Sequence, residues 1–172
     1  MIHLYVGEGK GKTTAAVGQA IRALGWHQKV LFAQFLKSGE SGETLILDKL
    51  EDLVFLRPCM RHKGFIWHMN DQELQETKAD LLEGFQQITQ KIADGHFSMV
   101  ILDEVLDIVE CGFLKESSLF DLISSSPNTI EFILTGRKAS ARMKENAHYI
   151  TFMTKEKHPF DQGVKARKGI EY

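Results

Sequence analysis

Cysteine is almost missing from this chain, with two residues, Cys59 and Cys111, among 172. Two thiols supply no disulfide framework, so a secreted, disulfide-stapled scaffold is excluded and a reducing, cytoplasmic setting is expected. Proline is nearly as scarce, with three residues. No interdomain linker, internal repeat or low-complexity tract interrupts the chain. Long apolar runs are absent too, and none approaches the length of a membrane span. Strand-like sequence from the second residue leaves no room for a signal peptide. Nor is there a surplus of either charge: the formal net charge is −2, which supplies no bulk pull toward nucleic acid or an anionic membrane. A module for single-stranded nucleic acid, which needs a basic groove with stacking aromatics, is disfavoured on that ground. The remaining composition, 43% apolar and 26% charged, is that of an ordinary globular protein. A chain of this length is expected to form one domain and to bury about two-thirds of its unfolded surface.

What is present is an alternation of strand and helix signals. Ile2 to Val6 reads as a strand. Thr13 to Leu24 reads as a helix with small residues (Ala15, Ala16, Gly18, Ala20, Ala23) suited to close packing, ended by Gly25 as a C′ residue. Val30 to Leu36 is a continuous apolar run, as in a strand buried on both faces, and Leu53 to Leu56 is a shorter one. A long helix is expected from Asp71 to Asp94, capped by Asn70 with Glu73 three residues on and stopped by Gly95. Further strands are expected at Met99–Leu102, Ile130–Leu134 and Tyr149–Phe152, with a helical pair broken near Gly112 and Pro127. This pattern predicts an α/β fold with a mostly parallel sheet flanked by helices. The loops after residues 6, 36, 102 and 134 then border one cleft at the carboxyl ends of the strands.

The first of those loops is the most informative stretch. Gly7-Glu8-Gly9-Lys10-Gly11-Lys12-Thr13-Thr14 runs from a strand into a helix and ends in Gly-Lys-Thr. Glycines let successive backbone N–H groups turn inward, and the helix start adds its unpaired N–H groups and positive dipole end. In such a P-loop Lys12 meets the terminal phosphates and the Thr13 hydroxyl sits on Mg²⁺. The spacing departs from G-x-x-x-x-G-K-[ST], because Val6 stands where the first glycine belongs. Asp103-Glu104 closes an apolar strand, the Walker B arrangement that places a carboxylate beside the phosphate cradle for Mg²⁺. The spacing does not say which of the two touches the ion.

Other positions carry weaker signals. Gln34-Phe35-Leu36-Lys37 and Thr135-Gly136-Arg137 end strands at the same cleft, and spacing alone favours a solvated lysine and a helix-start arginine. In Arg61-His62-Lys63-Gly64-Phe65-Ile66-Trp67-His68, the residues Cys59, His62 and His68 match no zinc spacing. Phe65 and Trp67 alternate, so an extended segment projects them to one side, as a core contact or an aromatic wall for a flat ligand. The basic tail from Lys157 to Tyr172 reads on composition as a solvated end.

Taken together these motifs resemble the corrinoid adenosyltransferase family, the ATP:cob(I)alamin type with a RecA-like P-loop fold. The resemblance runs from the P-loop, through Gln34-Phe35-Leu36-Lys37, Leu102-Asp103-Glu104 and Thr135-Gly136-Arg137, to the ending His158-Pro159-Phe160-Asp161-Gln162-Gly163-Val164-Lys165-Ala166-Arg167-Lys168-Gly169-Ile170-Glu171-Tyr172. That family's loop also lacks the first Walker glycine. The resemblance implies that Co(I) of a reduced corrinoid, a cobalamin or a cobinamide, attacks the 5′-carbon of ATP and expels triphosphate. ATP would lie reversed relative to other P-loop enzymes.

Residue by residue, the resemblance implies nucleotide contacts from Gly7, Glu8, Gly9, Lys10, Gly11, Lys12, Thr13 and Thr14. Arg22, Gln34, Lys37, Arg137, Asp161 and Lys165 are further contacts implied by the match. Thr13 and Glu104 would carry Mg²⁺, with Asp103 behind them. Lys12 and Glu104 would serve the reaction, and Phe65 and Trp67 would displace the lower axial ligand of cobalt, easing its reduction. A flavoprotein reductant such as a flavodoxin and a homodimer are the implied partners. Members of that family often carry a segment ahead of the first strand that helps cover the site; this sequence opens on the strand, so a more open site or a different lid is expected. The competing expectation is a P-loop ATPase or nucleoside kinase of RecA-like fold.

Overall fold

A computed structural model describes residues 1–37, 39–58 and 69–172. The expected segment around Phe65 and Trp67, with Cys59, His62 and His68, lies outside the described residues. Six strands form one sheet: β1 (Ile2–Val6), β2 (Val30–Gln34), β3 (Leu53–Leu56), β4 (Met99–Asp103), β5 (Glu131–Gly136) and β6 (Tyr149–Phe152). Their order is β3-β2-β4-β5-β1-β6, and every adjacent pair is parallel. Helices α1 (Lys12–Leu24), α2 (Thr44–Leu47), α3 (Asp71–Asp94), α4 (Val105–Glu110), α5 (Glu116–Ser125) and α6 (Ala141–Asn146) supply the crossovers.

Alternation along the central strands divides the core in two. Leu31 and Ala33 of β2 and Val100 and Leu102 of β4 face one layer, with Leu81, Phe85, Ile88 and Ile92 of α3 and Leu119 of α5. Val30, Phe32, Met99 and Ile101 face the other, where Ala16, Ala20 and Ala23 bring α1 close to the sheet. Both faces of β2 and β4 are therefore buried, which is why these strands read as unbroken apolar runs.

The expected capping box on α3 is present. Asn70 Oδ1 accepts from Glu73 N at 3.0 Å, and Glu73 Oε2 accepts from Asn70 N at 2.8 Å. Three expectations change. β2 ends at Gln34 rather than Leu36, although the Phe35 N–H still donates to the Asp103 carbonyl of β4 at 3.1 Å. β5 extends through Thr135 and Gly136, so those residues belong to the sheet. Gly25 is right-handed (φ −60°), and the left-handed residue after α1 is His27 (φ 56°). Helices α2 and α6 carried no sequence signal, being four and six residues long with little buried surface. Among the described residues, no helix is long and apolar enough to cross a membrane.

Candidate active site

The loop Gly7–Gly11 leaves β1 at the carboxyl edge of the sheet and turns directly into α1. Gly7 (φ 124°) and Gly11 (φ 114°) hold backbone angles that side chains resist. The loop is also pressed against the chain that leaves β6. Gly9 N donates to the Met153 carbonyl at 2.6 Å, and a Cβ at Gly9 would stand 2.7 Å from the Thr154 carbonyl. Val6 and Met153 continue the sheet pairing, with Met153 N donating to Val6 O at 2.8 Å. Gly7 N reaches the other neighbour, donating to the Arg137 carbonyl at 3.0 Å. Both adjoining strands thus fix the cradle.

Lys12 does not extend from this loop. Its ammonium folds back, donating to Gly7 O at 2.7 Å and Gly9 O at 2.9 Å. Burial lowers its pKa, against the opposing charge of Asp107.

Asp103 is fully buried at the end of β4 and accepts from three side chains. The Thr13 hydroxyl lies 3.1 Å from both carboxylate oxygens, the Thr135 hydroxyl donates to Oδ1 at 2.7 Å, and Gln34 Nε2 donates to Oδ2 at 3.1 Å. A buried carboxylate with such partners fixes its neighbours. Lys37 completes the cluster from the loop after β2. Its ammonium is 3.2 Å from Thr13 Oγ1, 3.3 Å from Glu43 Oε1 and 4.0 Å from Asp103 Oδ2. Arg57 braces that loop by donating to the Lys37 and Gly39 carbonyls, each at 2.6 Å.

Glu104 follows Asp103 in a left-handed conformation (φ 64°, ψ 16°), a strained geometry for a side-chain-bearing residue. Burial and then the Asp103 charge push its carboxyl up to about 7, with Lys37 pulling the other way. One turn along α4, Asp107 accepts from Arg137 N at 2.8 Å, and burial raises its pKa as well. Gly136 lets α4 approach: a Cβ there would stand 2.6 Å from Leu106 Cβ.

The cleft over the loop has a volume of about 420 Å³. Gly9 through Thr14, Lys37, Glu43 and Glu104 line it, and Gly169 to Tyr172 form its far wall. Glu171 ties that wall to the loop through Lys10 at 3.5 Å and is itself held by Arg167 at 3.1 Å. Those two cations, Arg167 foremost, keep the Glu171 carboxyl at about 2.

Of the residues expected at the site, the loop, Lys37 and Glu104 converge on this cleft, and Gln34 and Asp103 lie buried beneath it. Glu8 and Arg137 face each other at its margin, 4.0 Å apart. Arg22 is not gathered in; it sits in the last turn of α1 and donates to Gln19 Oε1 at 3.3 Å. Asp161 pairs with Lys155 at 2.9 Å, and Lys165 borders a small separate cavity beside Phe160. Sequence reasoning missed Glu43 and Asp107, and it singled out the ending through Gly169–Tyr172 without assigning those four residues to the site. Asp107 had a readable signal, three residues beyond Glu104 on one helix face.

A wholly parallel sheet flanked by helices, with a glycine-rich loop between β1 and α1, defines an α/β protein of the P-loop NTPase-like class. Comparison with known proteins narrows that class. Residues 1–172 match the family described as ATP:corrinoid adenosyltransferase BtuR/CobO/CobP. The corrinoid adenosyltransferases of Pseudomonas aeruginosa and Escherichia coli K12 are 32% and 34% identical to this chain, spanning 98% and 100% of it and 82% and 85% of their own lengths. The corrinoid adenosyltransferase CobA of Salmonella typhimurium is 32% identical over 100% of this chain and 85% of its own. The chain belongs to the ATP:corrinoid adenosyltransferase family and is an enzyme of that class.

Proposed function

We propose that the protein transfers the 5′-deoxyadenosyl group of ATP to Co(I) of a reduced corrinoid, cobalamin or cobinamide, and releases triphosphate. The electron pair of Co(I) forms the cobalt–carbon bond at C5′. The C5′–O bond breaks, and its electron pair leaves on the triphosphate oxygen. The observation carrying this reading is the convergence of the loop residues Gly9, Lys10 and Gly11 with Lys12, Thr13, Lys37 and Glu104 on one cleft. Charge grows on the triphosphate as the bond breaks, and fixed donors aimed there stabilise it without reorganising.

Lys12 is held by two loop carbonyls that a phosphate oxygen can replace as its acceptor. A divalent cation fits the same place. The Lys37 ammonium already rests against Thr13 Oγ1 and near Asp103, a positive charge among the oxygens that would receive the ion. Among the described residues no three His, Cys, Asp or Glu side chains form a metal cage. That suits Mg²⁺, which takes one or two protein oxygens and completes its shell with phosphates and water. Thr13 and Glu104 would hold it, with Asp103 orienting the Thr13 hydroxyl from behind. When bound, Mg²⁺ neutralises charge on the departing triphosphate.

Supplying MgATP and chemically reduced cobalamin without oxygen tests the reading. Appearance of the light-sensitive adenosylcobalamin spectrum is expected. ATP converted to ADP with an unchanged corrinoid spectrum supports an ATPase or nucleoside kinase instead. Phe65 and Trp67 belong to the same proposal as residues that strip cobalt of its lower ligand, with a flavodoxin-like electron donor. Replacing either by Ala is then expected to slow the reaction from Co(II) far more than the reaction from Co(I). Equal losses in the two assays contradict that role. A cytoplasmic homodimer completes the proposal.

A further inference from the structure

Thr135 lies at the end of β5, is wholly buried and reaches no cleft surface. Its hydroxyl nevertheless makes two bonds that meet at the site. It donates to Asp103 Oδ1 at 2.7 Å and accepts from Glu104 N at 2.8 Å. The second bond falls on the residue whose backbone is left-handed, and Glu104 N is an N-terminal amide of α4 that no turn of that helix can satisfy. One hydroxyl therefore pins the peptide that aims the Glu104 carboxylate and, through Asp103, the Thr13 hydroxyl. Thr135 Oγ1 thus links the two groups assigned above to the metal, through Asp103 on one side and the Glu104 peptide on the other.

We infer that Thr135 is a positioning residue that sets Thr13 and Glu104 at the spacing a divalent cation on the nucleotide requires. The inference rests on the metal reading given above. Losing an outer group that orients a metal ligand typically costs about 10–100-fold in metal affinity. Val at this position keeps the shape and the strand preference but removes both bonds. Ser keeps the hydroxyl.

The test is calorimetric titration of ATP into the full chain, with Mg²⁺ and with EDTA, and no corrinoid present. The ratio of the two dissociation constants is the metal enhancement. Thr135→Val is expected to reduce that ratio about 10–100-fold. Thr135→Ser is expected to stay close to wild type, and binding in EDTA to change little in either variant. If circular dichroism shows Thr135→Val unfolded, Thr135→Ala against Thr135→Ser gives the same contrast. Full enhancement in Thr135→Val, or a loss in Thr135→Ser as deep as in the Val variant, overturns the positioning role alone. No enhancement in the wild type overturns the metal reading beneath it, and the role of Thr135 with it.

Discussion

Lys12 and Glu104 face the same cleft with opposite problems. The ammonium is partly desolvated, which lowers its pKa, and it rests on two carbonyl partners. Lys12→Ala is expected to weaken ATP binding at least tenfold and to abolish turnover, with little change in melting temperature; titration and thermal unfolding check both halves. The Glu104 carboxyl is pushed up to about 7 from its ordinary 4.5 by burial and by Asp103. Because the folded pKa is the higher one, the folded chain binds the extra proton between those values. Stability from this group is full below pH 4.5, falls as pH rises toward 7, and stays low above. In metal-free urea unfolding, wild type is expected to lose about 1–3 kcal/mol relative to Glu104→Gln between pH 5 and 8. Parallel pH profiles for the two proteins would contradict this account of Glu104. The sequence named both residues, since motif chemistry fixes residue types. It did not disclose that Lys12 folds back or that Glu104 is left-handed, because the first depends on carbonyls of its own loop and the second on Thr135 of another strand.

At the scale of elements, the glycine-rich loop is braced by the segment that leaves β6. A Cβ at Gly7 meets the Met153 carbonyl closely, whereas at Gly11 its nearest neighbour is Met153 Sδ at 3.7 Å. Both glycines have strongly positive φ, a strain of about 1–3 kcal/mol for any other residue. Gly7→Ala is therefore expected to destabilise more than Gly11→Ala, the excess being the collision with the Met153 backbone; urea midpoints measure the difference. Equal losses would show strain alone to matter. Long or wholly buried elements were legible in sequence, as α3 and β4 illustrate. The segment after β6 was not, since Met153 and Thr154 act through backbone carbonyls, which leave no trace in residue type. Thr135 acts through its hydroxyl, but on partners of another strand, so its spacing placed it only at a strand end.

For the whole molecule, strand order places the loops after β1, β2, β4 and β5 along one carboxyl edge, as strand alternation predicted. The tail returns to that edge, and its last four residues wall the cleft while remaining largely exposed. Deleting Gly169–Tyr172 is expected to weaken ATP binding several-fold, with the melting temperature shifted by no more than about 2 °C, because little apolar surface is lost. Unaltered binding would remove the tail from the site. The central claim is that this edge grips a leaving triphosphate while a carbon–oxygen bond breaks. Phosphorus NMR of the anaerobic reaction of MgATP with cob(I)alamin tests it most directly. The account predicts one inorganic triphosphate for each adenosylcobalamin formed. ADP with orthophosphate, or AMP with pyrophosphate, accumulating in step with turnover would contradict it.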